Sequence, residues 1–286
     1  MNVKKTLMCA SALAAASAAQ AATGEVSGSE YTHTPTSIEQ GIRMGDVALP
    51  AKATADGETY YGDFNETPKL SGERVPTVIM LHGSSGINPK LGYDTWQKHL
   101  ANEGIASFIF DGMQLDDRIT YKSPVDTETY EKIHELRASE IDIALNAIKA
   151  TSWADAEALI LAGTSEGAVS VARYDEEAFI GKIIYSWSCE DNYFVKDDMT
   201  STKQTPTLNI ISSQDKYFSD ENDFVGIDKP VGNCSVVYGD ELPEFFEVLL
   251  IPKAPHTLFN LPAARSALVG FVEQLLDPEQ KHPIAP

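Results

Sequence analysis

Short, almost wholly apolar runs alternate with longer amphipathic segments along this chain. The runs are rich in β-branched residues and lie at 76–81, 105–110, 159–164, 181–187, 206–211 and 245–251. Runs without polar alternation fit strands that are covered on both faces, as in a parallel sheet. The pattern therefore predicts a sheet buried between two layers.

The segments between these runs predict helices over 93–102, 130–150 and 263–276, and a further helix directly after residue 165. In the longest segment, apolar residues recur at i, i+3, i+4 and i+7 and form one stripe. That stripe consists of Ile141, Ala144, Leu145 and Ile148. Strands that alternate with helices predict an α/β fold, with a mostly parallel central sheet and helices on both faces.

The same pattern predicts the organisation of the chain. Residues 22–41 are polar and rich in Ser, Thr and Gly, so we expect a flexible N-terminal segment there. Residues 42–50 and 58–64 predict two short strands that form a hairpin at one sheet edge. We find no linker to a second domain, so we predict one domain over 42–278 and a tail over 279–286.

The first residues have the features of a secretory signal. Two lysines give a basic start, 6–19 is small and mostly apolar, and Ala19-Gln20-Ala21 fits a small-x-small cleavage site. The apolar part is too short to span a bilayer comfortably, and a buried helix is the alternative. We expect residues 1–21 to be cleaved near Ala21 and the protein to be periplasmic or secreted.

Two cysteines remain once this leader, with Cys9, is set aside. Cys189 and Cys234 both lie in predicted loops. An even pair in an oxidising compartment favours one disulfide, with two buried free thiols as the alternative.

The chain is strongly acidic, with a net charge of −20 and a pI of about 4.6. Such a surface repels phosphate backbones and anionic membranes, which argues against nucleic-acid binding. We also expect no membrane span. The sequence contains no His-Glu-x-x-His, Cys-x-x-Cys or Gly-x-Gly-x-x-Gly motif, so we predict neither a metal nor an organic cofactor.

One apolar run ends in a motif that carries chemistry, Gly163-Thr164-Ser165-Glu166-Gly167. Gly-x-Ser-x-Gly between a strand and a helix predicts a sharp turn that projects the serine hydroxyl above the strand end. The glycines are needed because a Cβ would collide with the neighbouring backbone. We predict that Ser165 is a nucleophile.

An acid and a histidine follow in the order that such a nucleophile requires. Asp215 lies just after the strand 206–211, and His256 lies just after the last strand. The imidazole would take the serine proton, and the carboxylate would orient the imidazole. Other acids near strand ends leave alternatives to Asp215, namely Glu190, Asp191, Asp220, Glu221 and Asp223.

Two backbone donors complete the predicted site. The N–H of Glu166 follows the nucleophile, and the N–H of Ser84 lies in the loop after the first buried strand. Both are expected to hold the oxyanion of an acyl-transfer intermediate. Trp187, Tyr217 and Phe218 lie near strand ends and are candidates for an apolar substrate pocket, with plain core packing as the alternative. Residues 216–244 form either a lid or an inert loop.

These motifs resemble the α/β-hydrolases, and within them the dienelactone hydrolase family. The resemblance spans about 75–276 and rests on the 82–86 loop, the Ser165 motif, Asp215 and His256. It implies cofactor-free hydrolysis of esters or lactones through an acyl-enzyme. In this chain Ser165 stands where the enzyme that names the family has a cysteine.

The sequence therefore predicts a secreted serine hydrolase that acts on a small-molecule carboxylic ester or lactone through a Ser-His-Asp triad. A peptidase or amidase on the same triad is one alternative. A non-catalytic binding protein on this fold is the other, since a fold does not fix a function.

Overall fold

The computed structural model describes residues 24–195, 205–219, 230–238 and 245–277. The strands are β1 (Glu25–Ser27), β2 (Asp46–Leu49), β3 (Tyr60–Asp63), β4 (Val75–Leu81), β5 (Ala106–Ile109), β6 (Thr120–Lys122), β7 (Ala154–Thr164), β8 (Gly181–Tyr185), β9 (Thr207–Ser212) and β10 (Phe246–Ile251). The helices are α1 (Pro35–Arg43), α2 (Tyr93–Asn102), α3 (Thr127–Lys149), α4 (Glu166–Arg173), α5 (Ser235–Tyr238) and α6 (Pro262–Leu276).

The main sheet has eight strands in the order β10-β9-β8-β7-β4-β5-β2-β3. Neighbours from β10 to β5 are parallel, whereas β2 pairs antiparallel with both β5 and β3. The predicted mostly parallel sheet with an antiparallel hairpin at one edge is confirmed. Because the parallel strands all end at the same edge, the residues that follow them are brought together there.

Strand alternation divides the core into two layers. In β7, Leu159 and Leu161 pack with α3 and α4 on one face, whereas Ile160 and Ala162 pack with α2 and α6 on the other. Successive side chains of a strand point to opposite faces, so an apolar run supplies both layers at once. Ile141, Ala144, Leu145 and Ile148 of α3 are all buried against the sheet, as their spacing predicted.

The N-terminal segment differs from the expectation of a flexible 22–41. It contains β1, which pairs antiparallel with β6, and it contains α1. Thr34 caps α1 in a reciprocal capping box with Ser37. The fully buried residues of α1 are Ser37 and Gly41, and Ile42 packs partly buried against the core, so a composition rich in Ser, Thr and Gly did not indicate this helix. The predicted strand 42–50 is shorter in the structure, because α1 extends through Arg43.

Cys189 and Cys234 form a disulfide, which confirms the pairing over the free-thiol alternative. Their Cα atoms are 4.7 Å apart. The predicted leader 1–21 and tail 279–286 lie outside the described residues, as do 220–229 and 239–244, so the leader and the tail stay predictions and 216–244 stays either a lid or an inert loop. In the parts of the chain that the structure describes, no helix has both the length and the apolarity to cross a membrane.

Candidate active site

The turn between β7 and α4 is as sharp as the motif predicts. Ser165 has φ +52° and ψ −119°, a backbone conformation that L-residues rarely adopt. A Cβ on Gly163 would lie 2.6 Å from the Gly167 carbonyl oxygen, and one on Gly167 would lie 2.6 Å from the His82 carbonyl oxygen. Both positions therefore require glycine, which allows α4 to approach the end of β4 closely.

The structure brings Ser165, His256 and Asp215 together. The Nε2 atom of His256 is 2.9 Å from the Ser165 Oγ, and its Nδ1 atom is 2.8 Å from the Asp215 Oδ2. Ser165 follows β7, Asp215 follows β9, and His256 follows β10. Three residues far apart in sequence thus form one hydrogen-bonded chain at the carboxyl edge of the sheet.

The two partners of the serine are themselves held in place. Asp215 is 1% exposed, and its second carboxylate oxygen accepts a hydrogen bond from the Tyr217 N–H at 2.9 Å. The Ser186 hydroxyl donates to the His256 carbonyl. Both oxygens of the carboxylate are engaged, so its orientation toward the imidazole is fixed.

The alternative acids are not placed as well as Asp215. Glu190 accepts hydrogen bonds from the N–H groups of Val231 and Gly232, at 2.6 and 3.0 Å. Asp191 is exposed. The other candidates, Asp220, Glu221 and Asp223, lie outside the described residues. Among the described candidates, only Asp215 contacts the imidazole.

Ser84 and Glu166, whose N–H groups are the predicted oxyanion donors, line the same cavity as Ser165. Glu166 is the first residue of α4, where helical geometry supplies no acceptor for its N–H. Within the described part of the chain, no acceptor is bonded to the N–H of Ser84, whereas the neighbouring Gly83 N–H donates to the Tyr93 hydroxyl at 3.2 Å. Gly83 lies against Ser165, since a Cβ built on it would be 3.5 Å from the Ser165 Cβ.

A cavity of about 470 Å³ opens at Ser165. Tyr217 and Phe218 line it, but Trp187 does not. The prediction of Trp187 as a pocket residue is therefore wrong. Ser186 has φ +55°, and beyond that turn Trp187 is fully buried in the core beside the disulfide. Nothing in the sequence around Trp187 indicates such a turn, so its position near a strand end predicted a pocket residue.

No known protein-family profile matches the chain, and no characterised protein matches it by sequence. Solved structures do match. TT1662 from Thermus thermophilus aligns at 16% identity and a TM-score of 0.51, covering 72% of this chain and 90% of its own. Esterase PE8 aligns at 16% identity and a TM-score of 0.50, covering 72% and 95%. The dienelactone hydrolase-like promiscuous phosphotriesterase P91, from metagenomic libraries, aligns at 14% identity and a TM-score of 0.50, covering 80% and 97%.

This chain has an α/β-hydrolase fold. The agreement confirms the predicted architecture, in which the turn at Ser165 follows the central strand β7.

A buried ionic cluster lies next to the turn at Ser165. Arg137 and Glu140 of α3 form an ion pair at 2.6 Å, and both side chains are fully buried. The Glu166 carboxylate lies 3.6 Å from Arg137 and 3.3 Å from Arg118. Arg137 also donates to the His82 carbonyl at 2.6 Å. The cluster thus joins α3 to the loop after β4 and to the first residue of α4, the two segments that carry the candidate oxyanion donors.

The sequence reasoning missed this cluster. Residues 137 and 140 share the buried face of α3 with Ile141 and Ala144. Two opposite charges three residues apart on this apolar stripe were the sequence feature that could have indicated a buried ion pair. Burial raises the pKa of Glu140, but the Arg137 guanidinium and the hydrogen bond from His33 outweigh it, and the net pKa is lowered. Burial, together with Arg137, lowers the pKa of His82 to about 3. His82 is therefore a neutral part of the scaffold at ordinary pH.

The cluster does not resemble a metal site. Across the described ranges, no group of three or more His, Cys, Asp or Glu side chains is arranged to hold a metal ion. The acids of the cluster already face guanidinium groups, which supply the positive charge that a buried carboxylate needs.

Proposed function

We propose that the protein is a serine hydrolase that cleaves carboxylic esters or lactones through an acyl-enzyme. The observation that carries the proposal is the unbroken hydrogen-bond chain from Ser165 through His256 to Asp215. A serine hydroxyl is a weak nucleophile until an adjacent base takes its proton, and this geometry supplies the base and its orienting acid.

The reaction proceeds in two halves. Ser165 Oγ attacks the carbonyl carbon while its proton passes to His256 Nε2, and the oxyanion is held by the N–H groups of Ser84 and Glu166. The ester C–O bond then breaks, and the imidazolium gives the proton to the leaving alcohol. Water, deprotonated by His256, attacks the acyl-enzyme, and Ser165 recovers its proton as the carboxylic acid leaves.

The names of the structural relatives support an ester substrate over a peptide one, since they include an esterase and a dienelactone hydrolase-like enzyme. The alcohol of an ester also leaves more readily than an amine.

Hydrolysis of p-nitrophenyl acetate by the purified protein tests the proposal. We expect turnover in the wild type, its loss in Ser165→Ala, and its retention in Ser139→Ala, which removes an exposed serine of α3. Full activity of Ser165→Ala would end the proposal. Comparison with an aminoacyl anilide separates esterase from amidase activity, and turnover of the anilide at the faster rate would favour the amidase.

We also propose that residues 1–21 direct secretion or export to the periplasm. The Cys189–Cys234 disulfide supports this, because disulfides persist in oxidising compartments. N-terminal sequencing of the secreted or periplasmic protein tests it, with a start after Ala21 expected. Recovery of the intact chain in the cytosol alone would refute it.

A further inference from the structure

Aromatic side chains from four separate segments form one side of the cavity, which we call the aromatic wall. It consists of Tyr121, Tyr130, Phe194, Tyr217 and Phe218. Tyr121 belongs to β6 and Tyr130 to α3, whereas Phe194 follows β8 and the last two follow β9. Residues this distant in sequence do not become neighbours through local structure, so the wall is a product of the tertiary fold.

The rings contact one another in a continuous series. Tyr121 and Tyr130 meet at a centroid distance of 5.1 Å and an angle of 85°, and Tyr130 meets Phe194 at 5.3 Å and 69°. Phe194 meets Tyr217 at 6.1 Å and 88°. These edge-to-face arrangements are the favourable ones for aromatic pairs, because the positive edge of one ring faces the negative face of the next.

The series ends at the reactive imidazole. Tyr217 lies 4.6 Å from the His256 ring at 77°, and Phe218 lies 5.9 Å from it. His256 Nε2 is 2.9 Å from Ser165 Oγ, and both residues line the same cavity as the rings, so a substituent on a carbonyl carbon held at Ser165 Oγ can reach the wall.

The wall retains ring surface for a ligand. Tyr121, Phe194 and Tyr217 are only partly buried, whereas Tyr130 and Phe218 are buried. A cavity of about 470 Å³ has room for a small ring-bearing ester. An added aromatic ring would continue the edge-to-face series, whereas a saturated ring has no quadrupole to match.

We propose that the aromatic wall is a binding subsite for an aryl group, so that the substrates are aryl-bearing esters with the ring near the scissile carbonyl. The substrate class rests on the proposed ester hydrolysis, but the subsite itself can be tested without catalysis. Aromatic pairing adds about 2- to 10-fold in affinity beyond the burial of apolar area.

Matched ligands separate aromatic pairing from plain hydrophobicity. The pairs are ethyl phenylacetate with ethyl cyclohexylacetate, and benzyl acetate with cyclohexylmethyl acetate. They place the ring on the acyl and on the alcohol side, one methylene from the ester in each case. If burial of apolar area alone determined affinity, the cyclohexyl ligand of each pair would bind more tightly, because it has the larger apolar surface.

Dissociation constants are measured by calorimetric titration on Ser165→Ala, which leaves the ligands intact. We expect the aryl member of at least one pair to bind about 2- to 10-fold more tightly. Equal or weaker binding of the aryl member in both pairs would overturn the subsite, whatever the activity of the wild type. If the subsite holds but no ester is turned over, the proposed hydrolysis fails and the subsite stands.

A second substitution in the aromatic wall tests whether the wall causes the preference for the aryl ligand over the saturated one. In the Ser165→Ala background, Phe194→Leu and Tyr217→Leu should each reduce the aryl-to-saturated affinity ratio toward one. Phe64→Leu is the matched control, because Phe64 pairs with Phe108 away from the cavity and should leave the ratio unchanged. An unchanged ratio in both wall variants would contradict the assignment.

Discussion

Replacing Arg137 by methionine removes the guanidinium at the centre of the buried ionic cluster while keeping a long side chain. Arg137 is fully buried and contacts Glu140 at 2.6 Å, the His82 carbonyl at 2.6 Å and Glu166 at 3.6 Å. In the variant, Glu140 keeps the His33 contact at 3.2 Å and Glu166 keeps Arg118 at 3.3 Å. The buried carboxylate of Glu140 thus loses its nearest cation.

Removing one partner of a buried ion pair costs about 3–5 kcal/mol, because a charge is left without compensation in a low-dielectric interior. We therefore expect Arg137→Met to lower the free energy of unfolding by that amount at pH 7. At about 2–4 °C per kcal/mol for a domain of this size, the melting temperature should fall by about 6–20 °C.

The loss of stability in Arg137→Met should also depend on pH, in a direction that the pKa of Glu140 determines. In the wild type the folded pKa of Glu140 is lowered from 4.5, so its pairing stabilises the protein above that pH and is lost as the pH falls through the folded pKa. In Arg137→Met, burial raises the pKa of Glu140, and the folded state takes up a proton more readily. The destabilisation relative to wild type should therefore be smaller at pH 5 than at pH 7.

Urea unfolding of both proteins at pH 5 and pH 7 measures these differences. The matched control is Lys98→Met, which breaks an exposed i,i+4 pair with Asp94 and should cost about 0–1 kcal/mol. A loss below about 1 kcal/mol for Arg137→Met, or one that does not change with pH, would refute the assignment of a buried, charged cluster.

Three further outcomes are expected. Gly163→Ala would place a Cβ 2.6 Å from a backbone oxygen and should strongly lower the melting temperature. In Gly270→Ala, in α6, the added Cβ meets no atom within 4 Å, so this variant should be more stable by about 0.5–1 kcal/mol. Equal melting temperatures of the two variants would contradict this. Asp215→Asn should lower kcat on p-nitrophenyl acetate by about 10⁴-fold with little change in KM, and a loss below about tenfold would refute its orienting role. Replacing both Cys189 and Cys234 by serine removes a disulfide that joins residues 45 positions apart in sequence. The free energy of unfolding in urea should fall by about 2–5 kcal/mol, and an unchanged value would show that the disulfide adds no stability.

Much of the fold could be predicted because its signals are local. The apolar runs of the parallel strands and the stripe of α3 each lie within one segment, and the structure confirms them. The positions of Ser165, Asp215 and His256 followed from one topological rule, that residues after parallel strands meet at one sheet edge. The structure brings these three together in one hydrogen-bonded chain.

The features that could not be predicted depend on tertiary contacts or on backbone turns. The N-terminal helix α1 fully buries Ser37 and Gly41 rather than large apolar residues, so the polar composition of 22–41 gave the wrong expectation although Ile38 and Ile42 are spaced as on one helix face. The turn at Ser186 directs Trp187 into the core, and its positive φ occurs at a residue that gives no warning of it. The ionic cluster combines residues from separate segments, and its charges are stable in the core only because the fold pairs them.

The most direct test of the central claim is covalent labelling with a fluorophosphonate probe, followed by mass spectrometry of the digested protein. The probe reacts with a serine whose proton is taken by a neighbouring base. We predict one label per chain, located on Ser165, and its loss in His256→Ala. A wild-type protein that takes up no label, or one in which the label lies on another residue and survives Ser165→Ala, would contradict the account.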